Sequence, residues 1–315
     1  MNKIKPCLSA ILFVNHQKKN ASDLAVSIKT ELEKYGINVD IFSFDNEPKK
    51  HPPGKWDIAF SLGGDGTVLY TARCLAPLGV PILPVNLGTL GFIAEVEKEK
   101  WQDVFHKWQK GEHSISRRCM FDVSVERNSG IIMKNICLND AVVSASGIAK
   151  LIKLDVHIFS YDDNNDNTSC ETGSCAVSSG SCAAEAGTAL GSFRCDGLII
   201  STPTGSTAYS MAAGGPILDP EMEAAIINPI CPFTLSNRPF VLPSRQTLVI
   251  TVAKEQRSSV LLTIDGQDTF NLECNDRIII KQSAYQALLI YAGKHVYYSA
   301  LRSKLFWSPS ITERD

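Results

Sequence analysis

Two domains of different class, an α/β half followed by a mainly β half, are what this 315-residue sequence predicts. Three observations carry that reading. Short β-rich runs alternate with helical ones up to about residue 111, period-two strands separated by turn signals take over beyond 116, and the third run of the first half leads into Gly63-Gly64-Asp65-Gly66-Thr67. Strands alternating with helices imply a parallel, doubly wound, Rossmann-like sheet, whose ligands bind beyond the carboxyl ends of its strands. The GGDGT turn lies at such an end.

The elements follow in order. Residues 11–14 are an unbroken apolar run, which reads as a buried parallel strand. Residues 22–35 place Leu24, Ile28, Leu32 and Tyr35 on one helical face and stop at Gly36, a C-terminal signal. Residues 39–44, 58–62 and 80–85 are the next strands, and 68–75 after the glycine turn are helix-like. The basic pair Arg117-Arg118 then reads as solvated linker charge.

Beyond it, strands are expected at 121–126, 131–136, 151–159, 198–201, 248–252, 260–264 and 277–281, with turns such as Asn128-Ser129-Gly130 and Asp265-Gly266 between them. Residues 296–306 turn helical again, with Leu301 and Leu305 four apart. The expected domains are therefore 1–115 (α/β, with the glycine turn), 116–285 (mainly β, sandwich-like) and a C-terminal segment, 286–315. Residues 161–193, an Asn/Asp run followed by a Ser/Gly/Ala/Cys-rich stretch, offer little that could enter a core and read as an insertion whose two ends should remain paired strands and whose middle should be a mobile loop.

A net charge of -2 gives no electrostatic case for nucleic acid or an anionic membrane surface, and no apolar run reaches the length of a membrane span. Residues 7–14 read as a first strand of a cytoplasmic protein. Cys7, Cys74, Cys119, Cys137, Cys231 and Cys274 are scattered through apolar segments and read as reduced core thiols. Cys170, Cys175, Cys182 and Cys195 match no common zinc spacing, the six histidines show no ligand spacing, and no metal site is assigned.

Glycines that let backbone N–H groups approach an anion, beside the positive end of a helix, make a phosphate cradle. Gly63, Gly64, Gly66 and Thr67 form the expected cradle. A carboxylate within it has no evident structural task, which makes Asp65 the candidate for chemistry. Three more segments stand out: Asn86-Leu87-Gly88-Thr89-Leu90-Gly91-Phe92, Leu138-Asn139-Asp140, and Thr202-Pro203-Thr204-Gly205-Ser206-Thr207-Ala208-Tyr209 after the strand at 198–201. Asn139 and Asp140 can hold ribose hydroxyls or a base edge. The hydroxyls of Thr204, Ser206 and Thr207 offer neutral polar contacts, and Tyr209 offers a flat face for stacking. Asp265-Gly266-Gln267 reads mainly as a hairpin turn.

In this order, over 11–307, these segments resemble the NAD kinases. The resemblance implies a two-domain fold with the terminal segment returning to the first domain. It implies transfer of the γ-phosphoryl group of ATP, or another donor, to the 2′-hydroxyl of the adenosine ribose of NAD, with Mg²⁺ or another divalent cation. Asp65 would be the general base and, with Gly66, would also touch NAD. Phe92 would border the adenine, while Asn139, Asp140, Thr204, Thr207, Ala208 and Tyr209 would line the NAD pocket. Arg194 would lie near phosphate and Asp196 would face the nicotinamide amide. The family more often has Glu where Asp140 stands. Homodimers or homotetramers are also implied.

Two rivals remain. A lipid kinase of the diacylglycerol or sphingosine type shares GGDGT and the two-domain arrangement, but leaves TPTGSTAY and NLGTLGF unexplained. A non-catalytic NAD-sensing module would have little reason to keep Asp65 within an intact GGDGT.

Overall fold

The computed structural model describes residues 8–45, 53–88, 91–112, 114–147, 150–159, 187–234, 237–291 and 294–307. Strands β1 (Ser9–Asn15), β2 (Asn38–Phe44), β3 (Ile58–Gly63) and β4 (Ile82–Asn86) pair in parallel in the order β4-β3-β1-β2, and β5 (Val96–Glu97) adds to β4. Helices α1 (Ala21–Lys34), α2 (Asp65–Leu75) and α3 (Trp101–Gln109) cover the sheet. Alternate residues of β1 show why its run is apolar throughout. Ala10, Leu12 and Val14 join a core with Ile28 and Leu32 of α1 and Phe105 of α3, whereas Ile11 and Phe13 meet Val68 and Ala72 of α2 on the other face.

The second half holds β6 (Ile115–Arg127), β7 (Gly130–Cys137), β8 (Asp140–Ala145), β9 (Ile152–Phe159), β10 (Thr188–Cys195), β11 (Gly197–Ser201), a short helix α4 (Tyr209–Ala212), β12 (Ala224–Ile230), β13 (Phe240–Pro243), β14 (Thr247–Val252), β15 (Val260–Ile264), β16 (Asp268–Leu272) and β17 (Arg277–Ile290); helix α5 (Lys294–Lys304) follows. Six of these strands form one sheet in the order β13-β12-β11-β8-β15-β16. The others continue the large sheet as β10-β9-β14-β17, with β6 and β7 beside β17. Phe121, Val125, Leu154 and Ile250 of one layer pack on Val143, Leu198, Ile227 and Leu262 of the other, which gives the expected sandwich-like core.

Strand β17 is the main departure from expectation. It runs to Ile290 instead of ending at 281, pairing with β14 and β6 first and then, at Leu289, in parallel with Ile82 of β4. A register shift between Gln282 and Gln286 breaks the alternation, which is why the pattern read as a stop. Through this strand the C-terminal segment returns to the α/β sheet.

Other expectations need correction. Helix α2 begins at Asp65 and not at 68, because the glycines end strand β3 without a loop. Tyr35 is the exposed cap of α1, edge-on to His106, and is not part of its buried face. Residues 188–193, by contrast, are as expected: this end of the insertion is a paired strand, β10, against β9. Residues 161–186, with Cys170, Cys175 and Cys182, lie outside the described residues, as does Cys7. Cys119 and Cys137 are buried thiols, but Cys231 and Cys274 are exposed at turns. Cys195 is buried at the end of β10. Arg118 is 2% exposed, because inward and outward residues alternate along β6 and only Arg117 faces out.

Candidate active site

Gly63 ends β3, Gly64 caps α2 in an extended conformation, and Asp65 is the first residue of the helix. The N–H groups of Thr67 and Val68 bond back to the Gly64 carbonyl at 2.9 and 3.3 Å. Those of Asp65 and Gly66 fall in the first turn, where a helix supplies no acceptor, so they add to its positive end. A Cβ on Gly63 would run into the Thr67 hydroxyl.

The Asp65 carboxylate has a structural task that the sequence did not disclose. Its Oδ2 accepts the N–H of Phe92 at 3.0 Å, and its Oδ1 accepts those of Ile93 and Ala94 at 3.2 and 2.9 Å. Gly91 is glycine because a Cβ there would fall on Oδ1. A carboxylate offers about four acceptor positions, so one remains, on Oδ2. Asp65 thus fastens the backbone at 92–94 beside the glycine turn and keeps an acceptor for one further hydrogen.

Two cavities meet at this carboxylate. The larger, about 560 Å³, is lined by Lys18, Asp45, Asp65, Gly66, Thr67 and Gln267 among others. The smaller, about 230 Å³, shares Lys18, Gly64 and Asp65 and adds Gly63, Gly91 and Lys304. Lys304, from α5, stands with its ammonium 4.4 Å from the centre of the Phe92 ring.

The β15–β16 hairpin joins the glycine turn to the second half. Asp265 and Gly266 both have positive φ, as a tight two-residue turn requires. The hairpin reading was right but incomplete. The buried Asp265 carboxylate accepts the N–H groups of Leu138, Asn139 and Asp140 at 3.0, 2.7 and 3.2 Å, with Arg73 of α2 at 3.8 Å. Burial pushes that carboxyl up, against the pull of Arg73 and the three N–H groups. Arg73 also binds Asp268 and Gln267, and Gln267 donates to the Gly66 carbonyl at 2.7 Å. Sequence reasoning missed Arg73 and Asp268 and read Gln267 only as part of the hairpin turn; an arginine inside an otherwise apolar helix stretch was the available signal.

Asn139 and Asp140 therefore stand in register with Asp65 through one polar chain of contacts. Thr202 N–H and the Ser201 hydroxyl bond the Asn139 carbonyl at 2.8 and 3.2 Å, and Gly205 lies so close to that carbonyl that a Cβ would overlap it. The Asn139 Oδ1 and the Thr204 hydroxyl are buried without a partner, which is what a site for a polar ligand leaves behind. Asp140 is buried, and its carboxyl is pushed up to about 7 by that burial and then by Asp265. Ser206 departs from expectation: its hydroxyl donates to Pro203 and accepts from Leu218, so it holds the loop together. Thr207 donates to the Thr204 carbonyl at 3.3 Å, next to Ala208. Tyr209 opens α4 with 49% of its surface exposed.

Arg194 and Asp196 are not brought to this cluster. Gly197 pairs with Ser144 and Ser201 with Asp140, so Asp196 lies at the opposite end of the β8–β11 ladder, on the order of 15 Å along the strand. Arg194 sits there over the Phe233 ring at 5.1 Å.

The same architecture occurs in solved structures. Yeast NADH kinase complexed with NADH superposes with a TM-score of 0.79 over 99% of this chain and 91% of its own, at 20% identity. An NAD kinase from Archaeoglobus fulgidus in complex with ATP gives 0.67 over 96% and 99%, at 22% identity. Fold and site fit a phosphotransferase: a glycine cradle at a strand end, an acidic residue within it, and Gln267 of the β-rich half lining the same cavity. The profile of the ATP-NAD kinase N-terminal domain matches residues 8–113, and that of the C-terminal domain matches 168–292. NAD kinases of Treponema denticola (40% identity, covering 96% of this chain and 98% of the relative) and Geobacter sulfurreducens (36%, 80% and 78%) are similar in sequence. The chain belongs to the NAD kinase family.

Proposed function

We propose that the chain phosphorylates the 2′-hydroxyl of the adenosine ribose of NAD with ATP as donor, and that Asp65 is the general base. The observation that carries this reading is the acceptor position left open on Asp65 Oδ2 beside the glycine cradle, and the unpartnered Asn139 Oδ1 and Thr204 hydroxyl of the other half support it. The hydroxyl proton passes to Asp65 as its oxygen bonds the γ-phosphorus, and the electron pair of the broken bond leaves on ADP. General base assistance contributes roughly 10²–10⁴-fold. The cradle of Gly63, Gly64, Gly66 and Thr67 holds phosphate in place of a Walker-type lysine turn, which the chain lacks, with the backbone N–H groups of the glycines as donors and, since the Thr67 N–H is spent on the Gly64 carbonyl, the Thr67 hydroxyl beside them. Among the described residues no three His, Cys, Asp or Glu side chains group to hold a metal ion. Mg²⁺ would come as the companion of the donor triphosphate and supply charge neutralisation there.

On the acceptor side, Asn139, Asp140 and Thr204 take ribose and adenine polar atoms. Phe92 and Tyr209 supply ring faces, with Thr207 and Ala208 as neighbouring wall. Arg194 and Asp196, a strand length away, are assigned to the nicotinamide end of an extended dinucleotide. Unpaired thiols suit a reducing cytoplasm, and we infer a homodimer or homotetramer. No helix among the described residues is long and apolar enough to cross a membrane.

Incubation with NAD and MgATP, coupled to an NADP-specific dehydrogenase, tests the reading. The parent should turn over and Asp65→Asn should lose at least two orders of magnitude. Turnover within tenfold of the parent removes Asp65 from the role of base, and no NADP from the parent removes the kinase reading.

A further inference from the structure

Two lysines from opposite ends of the chain converge on the glycine cradle. Lys18 lies in the turn between β1 and α1, where its N–H bonds the Asn15 carbonyl at 3.0 Å and its own carbonyl accepts Ala21 N–H at 3.1 Å. The Asn15 side chain accepts Gln17 N–H at 3.0 Å, so this turn is fixed on both sides of the lysine. Lys304 comes from the last turn of α5. Both line the 230 Å³ cavity with Gly63, Gly64 and Asp65, and Lys18 also lines the 560 Å³ one. The facing acidic groups are Asp65, whose charge is shared among three backbone N–H groups, and Asp45 in the larger cavity.

This arrangement fits a chain of linked phosphates better than a single anion. The two cavities run into one another at Lys18, Gly64 and Asp65, so a polyanion lying across the start of α2 meets a cation where the cavities join and a second beside Gly91. Lys304 rests on the Phe92 ring at 4.4 Å, a contact that an ammonium exchanges readily for a phosphate oxygen. Phe92 is also the residue whose N–H binds Asp65 Oδ2, which places Lys304 at the end of the groove where the transferred group meets its acceptor.

We propose that Lys18 and Lys304 clamp the polyphosphate of the donor, with Lys18 binding its body and Lys304 the transferred γ-phosphoryl group. The proposal rests on the NAD kinase reading. In the transfer step the ribose oxygen to γ-phosphorus bond forms and the bond from γ-phosphorus to the β–γ bridging oxygen breaks. The electron pair stays on ADP, the hydroxyl proton goes to Asp65, and both lysines keep theirs. Their part is to offset the negative charge of the phosphoryl oxygens as the bond breaks.

The test uses the full chain with Lys18→Met, Lys304→Met and Lys304→Arg. Binding of inorganic tripolyphosphate is read by calorimetry, NAD binding separately, and kcat and KM for MgATP by the coupled assay. Each methionine variant should bind tripolyphosphate about tenfold more weakly, the scale of one lost charge-assisted contact. NAD affinity should stay within twofold and the thermal midpoint should not move. Lys18→Met should raise KM for ATP, Lys304→Met should mainly lower kcat, and Lys304→Arg should recover most of the loss. Tripolyphosphate affinity within twofold of the parent in both methionine variants overturns the clamp, as does an equal fall in NAD affinity. A parent that binds tripolyphosphate and makes no NADP sinks the kinase reading while the binding comparison still decides the clamp.

Discussion

Glu95 follows Ala94, whose N–H binds Asp65, and its side chain is sealed in the interior. It is 4% exposed, and neither carboxylate oxygen has a partner. Burial pushes its carboxyl from 4.5 up to about 7, Arg118 pulls it back and the Asp65 charge adds to the rise. Between pH 4.5 and 7 the folded chain therefore holds a proton that the unfolded chain has released, and stability falls as pH rises through that window. Two and a half pH units at about 1.36 kcal/mol each give a loss of about 3 kcal/mol, complete above pH 7. Glu95→Gln replaces the carboxyl with an amide of the same shape that stays neutral at every pH. The variant should thus be about 3 kcal/mol more stable than the parent at pH 8 and only about 0.7 kcal/mol more stable at pH 5. For a chain of this size that is roughly 5 °C in thermal midpoint at pH 8. Thermal denaturation of both proteins at the two pH values, at one ionic strength, is the assay. An equal shift at both, or a less stable variant at pH 8, would show Glu95 ionised against Arg118 and refute the reasoning.

Three other outcomes are expected. Tyr209→Ala should weaken NAD binding by about 1–3 kcal/mol, the range for a base stacked on an aromatic ring, while Tyr209→Phe is mild; calorimetry showing equal affinity in the alanine variant would make the ring ordinary surface. Gly205→Ala should cost at least about 1–3 kcal/mol of stability, the scale of overpacking, because the new methyl meets the Asn139 carbonyl; an unchanged urea midpoint would contradict that contact. Replacing residues 162–186 by a short turn should preserve fold and turnover, because Ile158 and Thr188 already pair and the strand ends meet. A replacement that loses NADP formation while still folding would assign that segment a part in the reaction.

The α/β half was legible because β1, β3 and β4 are buried on both faces and α1 carries period and stop signals. Both come from local chain physics, and the glycine turn marked the site for the same reason. The strands β8, β12, β13 and β16 were missed because each takes its identity from neighbours distant in sequence, as when Ala141 pairs with both Ile200 and Ile264. Asp65 was found as a chemical group, yet its bonds to the backbone at 92–94 were not, since nothing local joins positions 27 to 29 residues apart. Asp265 was underrated on similar grounds. A DG turn looks the same whether its carboxylate points to water or, as here, seals three N–H groups of another strand. The sequence resemblance supplied Asn139 and Thr204, and only the fold explains why Gly205 must separate them so tightly.

Strands β6 and β17 run side by side from the sandwich into the α/β sheet, paired from Arg277 with Glu126 to Ile290 with Ile115. A doubled ribbon of this kind behaves as a leaf spring. The two halves cannot swing apart as jaws do on a single-chain hinge without tearing ladder bonds in both strands at once, and what bending the ribbon allows concentrates at the bulge between Gln282 and Gln286. The frame that sets the span from Gly64 to Asn139 is therefore stiff before any substrate arrives, which removes part of the ordering cost of bringing two nucleotides together. In such a molecule the adjustments that substrate binding calls for are expected at the rim of the cradle and not between the two halves.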